Sequence, residues 1–284
     1  MSLSLQQLEG LKDSIDVFLE AVDSYYNSKV GAKKAKLLAP IISSLEKDAT
    51  RIFKKQGRLY LAEMGKHKGL FPASEAAIPL DPLDDAWEWV AAQTSAEFVE
   101  TLKRANAKAL KAGGEAGMTT LNLGVSFEVS HPVAIEWLEE HAAKMVAEID
   151  ETTRSDIARI VNNGLKTGES YDKVARNIKN KFDDFAVRKP QLHIQSRAHL
   201  VAVTESANAY EEGTWQASKQ LQAEGIPMEH AWHTVGDERV TDECLSNEAD
   251  GWIDIDEEFS SSDLHPPRFP GCRCSSLSRV KEEK

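Results

Sequence analysis

Residues 131–170 read HPVAIEWLEEHAAKMVAEIDETTRSDIARIVNNGLKTGES. Ile135, Leu138, Ala142, Met145, Val146, Ile149, Thr153, Ile157, Ile160 and Val161 recur at steps of three and four. That spacing puts them on one face of a helix longer than 25 residues. Pro132 suits the first turn, with Ser130 or His131 as cap, and Gly164 or Gly168 is the expected stop. Ser170 then caps a short helix that turns Val174, Ala175 and Ile178 inward. The run over 194–223, LVAVTESANAYEEG at its centre, predicts another long helix ending at Gly225 with Pro227 beyond it. Two long helices set so close together make the chain mainly α.

Upstream, residues 4–27 predict an amphipathic helix with Leu8, Leu11, Ile15, Phe18, Leu19 and Val22 on one face. Gly31 is the expected break. A second run from Lys33 to Met64, with Pro40 near its start, completes an αα-hairpin over residues 1–70. Residues 65–87 carry three prolines and two glycines and read as linker. A helix is expected over 94–112, stopped by Gly113, Gly114 and Gly117. Leu121–Val129 alternates weakly, as a short strand or an extended connector. Residues 71–129 thus form a linker and helical connector, and residues 130–284 the C-terminal domain.

Downstream of the second long helix the character changes. Trp232, Thr234 and Val235, then Trp252, Ile253 and Ile255, predict short strands, with turns at Gly236-Asp237 and Asp250-Gly251. The fold expected is mainly α with a small α+β C-terminal module over 228–280.

The 284 residues are 41% hydrophobic, enough for a real core, and no stretch approaches a membrane span. The first residues lack the basic start and apolar run of a signal peptide, so export is not expected. Three cysteines make no disulfide framework. The net charge of −12 is uneven. Between Glu229 and Asp263 twelve acidic side chains face one basic residue, Arg239, whereas Lys29–Lys68 and Arg154–Arg197 are basic. An overall acidic chain is no ordinary DNA-binding domain. The basic stretch can still meet phosphate or an acidic partner through Lys33, Lys34, Lys54, Lys55 and Arg58, although solvated helix faces are the plainer explanation of such runs.

Three constellations bear on chemistry. Cys244, His265, Cys272 and Cys274 have the donor types of a tetrahedral zinc site, and the alternative is free structural thiols. Asp237, Glu238, Asp242, Glu243, Asp254, Asp256, Glu257 and Glu258 could hold a hard cation or form a solvated acidic surface. Glu205 lies in an apolar helix and needs a partner, expected to be Arg197 or a backbone N–H of the Gly236-Asp237 turn. No phosphate loop, dinucleotide fingerprint or nucleophile elbow occurs. His230 and His233 read as packing residues beside Trp232. The enzymatic alternative is a metal-dependent hydrolase or nuclease built on the Cys and acidic residues.

From about His131 to Val280 the chain resembles the phage head morphogenesis domain of Mu F-like minor head proteins. The resemblance rests on the 131–170 stretch followed in order by RAHLVAVTESANAYEEG, AWHTVGDERVTDEC and HPPRFPGCRC. It marks Arg197, Thr204, Glu205, Trp232, Asp237, Arg239 and Arg273 as motif residues. Two positions depart from the family pattern: Thr241 stands where many members have Cys, and Phe269 where many have His. Both changes take away metal-ligating groups. The resemblance implies a minor virion protein, assembled in the host cytoplasm, that associates with portal and with capsid or scaffold protein. It also implies double-stranded DNA as a further partner.

Overall fold

The computed structural model describes residues 5–70, 81–121, 127, 132–186 and 196–281. Its helices are α1 (Leu5–Met64), α2 (Asp81–Leu121), α3 (Pro132–Lys166), α4 (Tyr171–Ala186), α5 (Arg197–Ala223) and α6 (Asp242–Ala249). Three strands follow the long helices: β1 (Met228–His233), β2 (Ile253–Asp254) and β3 (Ser275–Val280). They pair antiparallel in the order β2-β1-β3, with Trp232 opposite Ser276 and His230 opposite both Ile253 and Ser278. This is the expected mainly α chain with a small α+β end. No helix among the described residues is long and apolar enough to cross a membrane.

The N-terminal hairpin does not form. α1 runs unbroken through Gly31 and Pro40. A helical glycine costs only about 1 kcal/mol, and a proline about 3. Against this, Leu38, Leu45, Ala49, Ile52, Phe53, Tyr60 and Met64 form one continuous buried stripe. Burying a large apolar side chain is worth about 1.5–3 kcal/mol, so the stripe outweighs both breaks. The face from Leu8 to Val22 lies outside the described side chains.

The linker is also shorter than expected. A 3-10 turn covers Gly65–Leu70, and residues 71–80 lie outside the described residues. α2 already starts at Asp81, with Pro82 in its first turn and Ala86, Trp87 and Val90 buried. It then passes through Gly113, Gly114 and Gly117, the expected stops. A Cβ on Gly113 would sit 1.9 Å from the Tyr210 carbonyl oxygen, and one on Gly213 of α5 would sit 2.1 Å from that of Leu110. These glycines let α2 and α5 touch backbone to backbone. Of the expected strand at Leu121–Val129, only Leu121, which ends α2, and Phe127, buried against Gly114, are described. The caps Ser130 and His131 lie outside.

α3 begins at Pro132 as expected and runs through Gly164, and positive φ at Gly168 closes it. α5 starts one turn later than expected, because Ser196 caps it by accepting the His199 N–H at 3.1 Å. Its sides are buried almost all round. One apolar core joins residues of α1, α2, α3, α4 and α5, a second joins α1, α2, α3 and α5 to Met228 and Ile255, and a third small one lies in the C-terminal module. The packing thus crosses the boundary drawn at residue 130. α6 and β3 were not expected. Thr241 caps α6, its hydroxyl accepting from the Cys244 N–H at 3.4 Å. β1 stops at His233, because Thr234 turns its N–H and hydroxyl to the Glu248 carboxylate at 2.8 and 2.7 Å.

Candidate functional site

α5 is polar as well as buried, and buried polar groups require partners. Several of its polar side chains clamp other elements. The Thr204 hydroxyl accepts the Gly271 N–H at 3.0 Å, fixing the loop that carries Cys272 and Cys274. Glu205 meets His141 of α3, Oε2 to Nε2 2.8 Å. This corrects the expected partner. Arg197 instead donates to the Ile149 carbonyl at 2.9 Å and stacks its guanidinium over Phe53 and Phe185. The Asp237 turn is bound to Arg273 (below). Glu211 accepts from the Lys34 ammonium at 2.5 Å and from the Ser276 N–H at 2.8 Å. Glu212 holds His265, Oε2 to Nε2 3.0 Å.

Three thiols gather beside this helix. Cys244 comes from α6, and Cys272 and Cys274 from the loop before β3. Their sulfurs all lie within 4.8 Å of one another, Cys244 and Cys272 at 4.0 Å, and all three residues are buried. Gly271 reaches the turn with φ +83°, a left-handed conformation that glycine adopts without strain. Trp232 and Phe259 pack the other side, ring centroids 5.4 Å apart and edge to face. Trp232 is 2% exposed, and among the described residues its indole N–H has no hydrogen-bond acceptor within reach except the neighbouring Cys274 sulfur. A cavity of about 150 Å3 opens onto the sulfurs, lined also by Val235, Arg239, Thr241, Phe269 and Pro270.

The thiols differ in acidity. The Cys274 thiol donates to Cys272, and the backbone N–H groups of Cys274 and Arg268 also point at that sulfur. Together they outweigh burial and bring Cys272 down to about 6. Cys274 is pushed up by the same hydrogen bond and by burial, and Cys244 by burial. Outside the cluster, Asp237 accepts from the Arg273 guanidinium at 2.6 Å and from the Arg239 N–H at 3.1 Å. The Arg273 bond holds its carboxyl at about 2.

His265 does not join the thiols. Its Nδ1 faces the Pro266 carbonyl at 2.7 Å and its Nε2 faces Glu212, so both ring nitrogens are engaged. The four-ligand set is thereby corrected to three sulfurs. The eight acidic residues do not assemble a cation site among the described residues. Asp254 pairs with Lys281 at 3.0 Å, and Asp256 with Lys219. Of the five cations expected to face a partner, Lys33, Lys54 and Arg58 are exposed. Lys55 is half-buried on Glu97 at 2.8 Å. Lys34 is corrected outright: 7% exposed, it is enclosed by Glu211, the Cys274 carbonyl at 2.8 Å and the Ser275 hydroxyl.

Sequence reasoning missed His141, the Lys34–Glu211 pair and a buried network in which Asp150 accepts from Ser95 at 2.6 Å and Gln56 at 3.0 Å. The available signal was polar residues at stripe positions: His141 precedes Ala142, and Lys34 lies four residues before Leu38.

Residues 155–277 match the family model described as Phage Mu protein F like protein. This segment is a Mu F-like domain. No curated protein and no solved structure matches the chain. The Mu F-like domain takes in the last third of α3, all of α4, α5, α6, β1 and β2, and the first half of β3. It contains all three thiols and the clamping residues Thr204, Glu205, Glu211 and Glu212. α1 and α2 lie outside the matched segment, yet they complete the core of the Mu F-like domain through Lys34 and the glycine seam.

Proposed function

We propose that the chain is a minor head protein of a phage or prophage that acts in head morphogenesis by binding. Its partners are portal protein and major capsid or scaffold protein, with double-stranded DNA as a further contact, and its place is the virion after assembly in the host cytoplasm. The Mu F-like match is the observation that carries this reading. Two features support it. Carboxylates that could serve as acids or bases are committed to pairs: Glu205 with His141, Asp237 with Arg273, Asp254 with Lys281. Lys54 and Arg58, four residues apart on α1, present charge to solvent, the arrangement that attracts phosphate or an acidic protein face.

The test is co-expression with the portal and major capsid proteins of the same phage genome, followed by pull-down. The full chain should co-purify with portal. Removing residues 1–29 should cut capture at least about tenfold while the melting curve stays that of the full chain. A deletion of 1–70 would be uninformative, because it removes the buried stripe from Leu38 to Met64. Failure to bind portal, capsid and scaffold protein alike would overturn the reading. So would turnover of a substrate by purified protein, abolished by a point change that leaves the fold intact.

A further inference from the structure

The thiol cluster has a chemistry of its own that the binding role proposed above does not by itself require. Four ligands around zinc at about 2.3 Å stand about 3.8 Å apart. Sulfurs in a disulfide are about 2.05 Å apart. The 4.0 Å between Cys244 and Cys272, with all three sulfurs inside 4.8 Å, is close to the edge of a metal tetrahedron and twice a covalent bond. We propose that Cys244, Cys272 and Cys274 bind one zinc ion as a three-thiolate site whose fourth position opens onto the adjoining cavity.

The surroundings fit this occupant. Three soft sulfur donors select an ion such as zinc over magnesium or calcium. The buried Trp232 indole N–H meets only the Cys274 sulfur, and a metal-bound thiolate accepts a hydrogen bond better than a neutral thiol does. The Cys274 and Arg268 backbone N–H groups do the same for Cys272. Binding releases one proton from each thiol, so zinc and three thiolates carry one net negative charge. Arg273 lies next to it, and Arg239 lines the cavity. Thr204 pins Gly271, the residue before Cys272, and Thr241 caps the helix that presents Cys244. Both ligand-bearing segments are therefore fixed independently of any ion. The 150 Å3 cavity leaves room for water or a partner's donor at the fourth position.

The experiment uses the full chain, purified under reducing conditions from zinc-supplemented cells. Elemental analysis should give about one zinc per chain. Cobalt exchanged into the wild-type protein should show a thiolate-to-metal charge-transfer band and the intense visible bands of a four-coordinate site. This reading needs no variant to fold. Cys272→Ser should bind zinc at least about tenfold more weakly, as should Trp232→Phe, which removes the N–H donor together with part of the buried ring. His265→Ala should keep its zinc. The proposal is overturned if the wild type is zinc-free and cobalt gives only the weak bands of an octahedral ion. It is equally overturned if mass spectrometry finds a Cys244–Cys272 disulfide in the metal-free chain, or if His265→Ala loses the metal while Cys272→Ser keeps it. None of these failures touches the portal-binding experiment.

Discussion

Between α2 and α5 two helix backbones touch where Gly113 and Gly213 leave no side chain between them. Between α6 and β3 the chain instead gathers three sulfurs in a module with only three short strands. The first region is held by apolar area and close approach, and tolerates nothing larger than hydrogen at its seam. The second has a small core of Trp232, Phe259 and the cysteines. It depends on directional contacts: Thr204 to Gly271, Asp237 to Arg273, Thr234 to Glu248. A long helix can spread its stabilisation over many residues, whereas a turn-rich module concentrates it in a few.

The contrast is sharpest at two glycines. Gly213→Ala should cost more than about 4 kcal/mol and yield little folded protein, because the new Cβ would lie 2.1 Å from the Leu110 oxygen. Gly31→Ala meets nothing within 4 Å and should stabilise by up to about 1 kcal/mol. Urea denaturation of the two variants reads both signs. If both behave alike, the seam is not as close as described.

The second test lies where the two regions join. Lys34→Met removes the cation of a buried pair and leaves the Glu211 carboxylate facing only the Ser276 N–H. It should cost about 3 kcal/mol by the same measurement. Glu211→Gln introduced with it should recover part of that loss. A neutral Lys34→Met would mean that the N-terminal helix and the Mu F-like domain are held by the apolar stripe alone.

The smallest effect belongs to the module. Burial opposes a charge on His265, but Glu212, with Glu211 behind it, outweighs burial and raises its pKa. His230, the other titratable group nearby, is lowered, chiefly by burial. A raised folded pKa stabilises fully below the unfolded value of about 6.5 and is lost as pH rises through the folded value. His265→Gln should therefore cost about 1 kcal/mol at pH 5.5 and less at pH 9. Equal losses at the two pH values would show that the ring contributes by packing only.

Much of this was legible in the residues. The 131–170 stripe placed α3 to within a few residues, and Gly225 with Pro227 placed the end of α5. Glycine misled at α1 and α2, because one letter stands for two physical uses: a residue that can break a helix, and one that lets a second helix come near. Only the partner helix decides which applies. The ordered motifs identified the Mu F-like segment, and the three cysteines announced their proximity. The polar clamps were harder. That Glu205 needs a partner follows from its apolar neighbours, but that the partner is His141, 64 positions away, depends on how α3 crosses α5. Lys34 looked like a solvent-facing cation because its neighbours in sequence are cations, and only the fold shows it enclosed.

The Lys34 ammonium grips the Cys274 carbonyl, so α1 is pinned beside the sulfurs at a point 29 residues from its described start. At 1.5 Å of rise per residue that outer arm is about 44 Å long. A tilt of about 10° at the pin would swing its tip by about 8 Å. Small shifts of the cysteine turn would thus be magnified at the far tip of the rod.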